Sequence, residues 1–171
     1  GGQEGQEGKI RTKSGQTAQE GPIEMGFPRF NEEQLMRLNE AVEIAEKSMM
    51  WLKIAVTGKQ CHGSMPHKGI NSLKAAADFI LKIDQLKKPF GDADPLFDPP
   101  TSTFEPTKKE ANVENINTVP GRDVFYIDCR VLPQYKLEDV LAELRKLGDE
   151  VAKKHGVTVE YEKVQYKQAA A

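Results

Sequence analysis

The sequence predicts an α+β domain whose elements run β-α-β-β-α-β, with one further helix in front. Three observations carry this reading. The runs Met50–Thr57 and Asp123–Leu132 have the apolar, β-branched and aromatic character of strands. Asn71 to about Leu86 and Lys136–His155 carry apolar residues at helical spacing. Gly, Pro, Asn and Asp residues punctuate the chain between these stretches.

Residues 1–30 read as a flexible leader. Half of the chain's 14 glycines lie before residue 27, among Gln, Glu, Lys and Ser, and Gly2–Gly8 repeats a three-residue unit. Such a tract cannot bury enough apolar surface to offset its ordering entropy, so it is expected to be a linker, a tag or an engineered leader. Residues 31–49 then read as an amphipathic helix. Asn31 suits the N-cap, Gln34 completes a capping box, and Glu32 and Glu33 suit the positive end of the dipole. Leu35, Leu38, Val42, Ala45 and Met49 form its expected apolar stripe.

The main domain is expected over 50–168. Trp51, Ile54 and Val56 mark its first strand, which Gly58 ends. In the helix from Asn71, Leu73, Ala76, Ala77, Ile80 and Ile83 are the expected buried face, and Lys87-Lys88-Pro89 closes it. Thr101–Thr107 reads as a short strand, Lys108–Gly121 as irregular, and Asp123–Leu132 as the best strand. The last helix places Leu137, Val140, Leu141, Leu144, Leu147 and Val151 on one face, with Gly156 set to end it in left-handed geometry. Val157–Tyr166 closes the domain as an alternating strand. Strands and helices in this order make a ferredoxin-like fold, a four-stranded antiparallel sheet with two helices on one face. Its other face and its edges stay open, which favours a dimer or a larger assembly.

Composition narrows the function. A net charge of −2 and a pI near 6.0 give no electrostatic basis for binding nucleic acid or an anionic membrane. No transmembrane run or apolar signal core is present in the sequence. Cys61 and Cys129 fit no C-x-x-C pattern and read as reduced thiols of a cytoplasmic protein; a disulfide between them stays open.

The chemistry concentrates in Cys61–Asn71, a Gly-, Pro- and Ser-containing loop between strand and helix that holds His62 and His67. It reads equally as a site and as a plain turn capped by Asn71. Two histidines five apart are too few for zinc, which takes three or four protein ligands. Asp128 and Arg130 share one strand face, with Cys129 on the other. They read either as a surface ion pair or as an arginine aimed at a substrate carboxylate.

Three motifs raise a resemblance. They are Gly58-x-x-x-His62-x-x-x-Pro66-x-x-Gly69-x-Asn71, then Asn115–Gly121 (Asn-Ile-Asn-Thr-Val-Pro-Gly), then Asp128–Pro133 (Asp-Cys-Arg-Val-Leu-Pro). In this order and spacing the chain from about Trp51 to Tyr166 resembles the lid, or dimerisation, domain of the co-catalytic zinc aminoacylase, desuccinylase and carboxypeptidase family. It looks most like the succinyl-diaminopimelate desuccinylase and acetylornithine deacetylase branch. The resemblance implies a homodimer in which His62 reaches the neighbouring subunit's active site and stabilises an oxyanion. It implies that Asn117 assists there, and that Arg130 and Asn71 serve the substrate side. Zinc belongs to the parent family's separate catalytic domain, and the family's zinc ligands and general-base glutamate find no match in this sequence. The chain is therefore expected to be a non-catalytic lid lacking its catalytic domain, with no cofactor of its own. Two other readings stay open from the residues: a dimeric scaffold carrying a foreign N-terminal segment, and a ferredoxin-like module for RNA or a small ligand.

Overall fold

The computed structural model describes residues 29–37 and 46–170. The chain divides into two units, Gly1–Ala41 and Val42–Ala171. In the first, residues 32–37 are helical. Asn31 Oδ1 accepts from the Gln34 backbone N–H at 2.8 Å, and Gln34 Oε1 accepts from that of Asn31 at 3.0 Å. This is the expected capping box. Leu35 is 47% exposed. Leu38, Val42 and Ala45 of the expected stripe, and the leader up to residue 28, lie outside the described residues.

Met49 departs from the expected helix. Ser48 and Met49 already belong to the first strand, β1 (Ser48–Thr57), where Met49 pairs with Arg130 on one side and Lys167 on the other. Methionine has good helix propensity, but ladder hydrogen bonds on both sides of a central strand outweigh it.

Beyond β1 come β2 (Cys61–His62), α1 (Ser72–Lys82), β3 (Thr103–Lys109), β4 (Thr118–Val119), β5 (Arg122–Val131), α2 (Leu137–His155) and β6 (Thr158–Lys167). Four strands form one antiparallel sheet in the order β3-β5-β1-β6. This is the ferredoxin-like arrangement expected from the element order. Its strands reach one or two residues beyond or short of the sequence expectation. A second, two-stranded sheet joins β2 to β4, inside segments that read as loops.

The sheet is two-faced. Met50, Leu52, Ile54 and Val56 of β1 alternate inward, as do Phe125, Ile127, Cys129 and Val131 of β5. They pack under α1 and α2 in one core with Phe79, Ile83, Leu137, Leu144 and Val151. Trp51, Lys53, Tyr126, Asp128 and Arg130 occupy the alternate positions, on the face away from α1 and α2.

Asn71 caps α1 through Oδ1, which accepts from the Leu73 and Lys74 backbones at 2.9 and 3.2 Å. The helix buries Ser72, Ala75, Ala76 and Phe79, and a 3₁₀ turn at Ile83–Lys87 extends it. This corrects part of the expected inner face: Leu73 and Ala77 lie outward, whereas Ala76 and Ile83 are fully buried and Ile80 packs partly buried against the core. Phe79 decides the rotation, because its ring fills the space against Phe125 at 5.7 Å and Tyr161 at 6.4 Å. Gly156 ends α2 at φ 75°, as its position in the sequence predicts. At the other end of α2, Gln168 Oε1 accepts from the Leu137 backbone N–H at 2.7 Å, a cap supplied from beyond β6.

Candidate functional site

Two sequence-distant segments meet at one end of the sheet. β2 pairs with β4, setting Cys61 opposite Val119 and His62 opposite Thr118. One step further the Gly63 backbone N–H donates to the Asn117 carbonyl at 2.6 Å. His62, on β2, is thus paired with Thr118, and Asn117, from a separate motif, lies in the turn just before β4, opposite Gly63.

The neck of the loop is closed by three backbone contacts. Lys59 and Ile70 exchange a pair of hydrogen bonds at 2.8 and 2.9 Å, and the Gly58 N–H donates to the Gly121 carbonyl at 2.8 Å. Gly69 is required by close approach: a Cβ there would stand 2.5 Å from the Lys59 carbonyl oxygen and 2.6 Å from Cys61 Sγ. The Ser72 N–H donates to the Pro120 carbonyl at 3.0 Å, so the start of α1 is fixed to the same turn.

Below this neck lies a feature that the sequence reading missed. Asp123 is buried, and its carboxylate accepts from Ser72 Oγ at 2.6 Å, from Asn112 Nδ2 at 2.7 Å, and from the Lys109 ammonium. One buried anion therefore ties α1, the segment after β3 and the start of β5 together. Such a charge is tolerated only with this degree of pairing. The signal was the strand period: Asp123 has the parity of the inward Phe125, Ile127 and Cys129.

His62 is exposed. Its Nδ1 lies 2.8 Å from Ser64 Oγ and accepts from the Ser64 backbone N–H at 3.1 Å. Asn117 Oδ1 accepts from Thr118 Oγ1 at 3.1 Å, which leaves Nδ2 as the donor of that amide. From Gly58 to Ala77 the chain carries Lys59, Lys68, Lys74, His62 and His67 and no acid. The arrangement offers hydrogen-bond donors on a loop whose own charged side chains are basic.

Arg130 is not brought to this pair within one chain. It lies eight residues along β5 from Arg122, a separation of roughly 26 Å at ~3.3 Å per residue. Its Nε and Nη2 instead donate to both Asp128 carboxylate oxygens, at 2.6 and 3.1 Å. Asp128 is the chief cause that raises the Arg130 pKa above its ordinary value. Asn71 borders the loop, with its Oδ1 committed to capping α1. Cys129 is buried, which pushes its thiol up to about 12, and both cysteines are free thiols. Among the described residues no three His, Cys, Asp or Glu side chains converge as a metal would need. The described residues do not fit zinc.

Residues 44–156 match the family model described as the peptidase dimerisation domain. The chain belongs to that family. The chain is 39% identical over 137 residues to an uncharacterized metallohydrolase of Methanococcus maripaludis, covering 72% of this chain and 33% of that protein. It is 27% identical over 109 residues to acetylornithine deacetylase of Arabidopsis thaliana, covering 58% of this chain and 23% of the relative. Among solved structures it is similar to an amidase of the hydantoinase/carbamoylase family from Burkholderia vietnamiensis. That match has a TM-score of 0.59 and 20% identity, over 72% of this chain and 28% of the other. An aminobenzoyl-glutamate utilization protein from Klebsiella pneumoniae matches with a TM-score of 0.59 and 16% identity, over 74% and 30% of the two chains. These structural likenesses establish the fold. The domain spans about a third or less of the length of each of these relatives.

Proposed function

We propose that this domain is the non-catalytic lid of a zinc-dependent amidohydrolase, which dimerises through its own surface and presents His62 to the partner subunit's active site. The observation that carries the reading is the β2–β4 ladder, which holds His62 beside Asn117 at an exposed, acid-free loop. An oxyanion forming in amide hydrolysis needs preorganised donors where its charge develops. The His62 ring and the Asn117 amide are two such donors.

Surfaces on the domain support dimerisation. β3 and β6 are both edge strands, open to pairing with another chain. On α1, Leu73 (42% exposed), Ala77 and Leu81 (77% exposed) recur at i, i+4 and i+8, an apolar stripe that the core does not use. Arg130 enters the reading as a ligand for a substrate carboxylate only if it exchanges Asp128 for that carboxylate, and Asn71 has only its Nδ2 group to offer. In this reading zinc and the general base belong to a catalytic domain, the chain alone has no turnover, and its free thiols suit the cytoplasm.

Complementation tests the reading. In a protein that carries this domain together with its catalytic domain, a His62→Ala subunit is mixed with a subunit inactivated in the catalytic domain. Hybrid dimers regain amidase activity if His62 acts across the interface. No recovery, with hybrid formation verified, contradicts it, as does zinc-dependent turnover by the isolated chain.

A further inference from the structure

The geometry points to Ser64 as the positioning residue that holds His62 as a hydrogen-bond donor, an inference that rests on the oxyanion reading of His62 and deepens it. The Ser64 backbone N–H lies 3.1 Å from His62 Nδ1, and Ser64 Oγ lies 2.8 Å from the same atom. A backbone N–H can only donate, so Nδ1 must present its lone pair to it. The neutral ring then carries its one proton on Nε2. With the lone pair turned toward Ser64, the hydroxyl also donates to it.

Both restraints come from a residue two positions along, inside a loop whose neck is closed by the Lys59–Ile70 pair. They therefore act on the ring locally, without help from a partner or a ligand. The consequence is chemical as well as geometric. A neutral His62 fixed in this way offers only an N–H at Nε2, which suits a carbonyl oxygen or an oxyanion. That nitrogen has no lone pair to give, so the ring can stand beside a metal centre without joining its ligands through Nε2.

The test is the position of the ring proton. In long-range ¹H–¹⁵N correlation spectra of the labelled chain, taken where imidazoles are neutral, the His62 signals are assigned by their loss in His62→Ala. The native chain is expected to show the Nε2–H form alone. Ser64→Ala keeps the backbone donor and loses the shorter one, so Nε2–H should stay the major form while the minor Nδ1–H population rises several-fold, and Ser64→Thr should restore the native spectrum. A native ring protonated on Nδ1, or a Ser64→Ala spectrum identical to the native one, overturns the assignment. The readout needs no substrate, dimer or metal, so it stands or falls separately from the complementation result.

Discussion

Ser72 Oγ donates to Asp123 Oδ2 over 2.6 Å in the interior, joining the first residue of α1 to the second residue of β5. Lys109 and Asn112 complete the shell of the same carboxylate. Asp123→Ala leaves three donors without their acceptor, one of them charged. Because Lys109 is one-third exposed and can turn to water, the expected loss is about 2–4 kcal/mol rather than the full cost of an orphaned buried charge. Urea denaturation at fixed protein concentration measures it. A change below about 0.5 kcal/mol would show that the hub does not hold the domain together.

Gly148 and Tyr161 give a prediction that runs against helix propensity. Glycine inside α2 costs about 1 kcal/mol relative to alanine, yet a Cβ there would stand 1.9 Å from the Tyr161 hydroxyl. Gly148→Ala is therefore expected to destabilise. Among the described residues that hydroxyl has no hydrogen-bond partner, and burial raises its pKa. Tyr161→Phe should be neutral or stabilising by up to about 1 kcal/mol, and should relieve much of the Gly148→Ala penalty. Thermal melts of the two single variants and the double variant decide; strict additivity would remove the packing explanation.

Asp78 links the helices. Its carboxylate lies 2.8 Å from His155 Nε2, and Lys82 donates to it at 3.0 Å. The His155 hydrogen bond first, and then that from Lys82, lower its pKa to about 2. A carboxylate depressed in the folded state stabilises it above the unfolded pKa, and that contribution disappears as pH falls through the folded value. The window is thus about pH 4 down to pH 2. With the side chain one-fifth exposed and the charges partly screened, the expected contribution is about 1–2 kcal/mol. Asp78→Asn should flatten the acid limb of the stability profile in that window. An unchanged limb contradicts the assignment.

His62 and Leu144 separate site from core. Leu144 is fully buried in the cluster under α2, whereas His62 is exposed. Leu144→Ala should cost about 2–5 kcal/mol through the cavity it leaves. His62→Ala should stay within about 0.5 kcal/mol. Equal losses in a melting series at one protein concentration would make the histidine structural.

The strand and helix order was legible because each main element carries its own period. The β-branched and aromatic run of Asp123–Leu132 becomes β5 to within one residue, and the i, i+3, i+4 pattern of α2 survives folding nearly unchanged. Three features were not legible, for three physical reasons. Met49 reads as helical alone and becomes a strand residue through pairing on both sides. The face of α1 turned on the bulk of Phe79 rather than on counting apolar positions, since Leu73 and Ala77 fit the same period one step away. The β2–β4 ladder is only two residues long, too short for any period, so the meeting of His62 with Asn117 needed tertiary structure to appear. Arg130 shares a motif order with them but not a place, because β5 carries it to the far end of the sheet.

Dimerisation of this domain through its own surface would show in its mass in solution. Multi-angle light scattering on the purified chain across the micromolar range should give twice the 19.1 kDa chain mass. Leu81→Glu, which places a charge in the exposed α1 stripe, should shift it toward the monomer. A native mass that stays at 19.1 kDa at every concentration would contradict the claim.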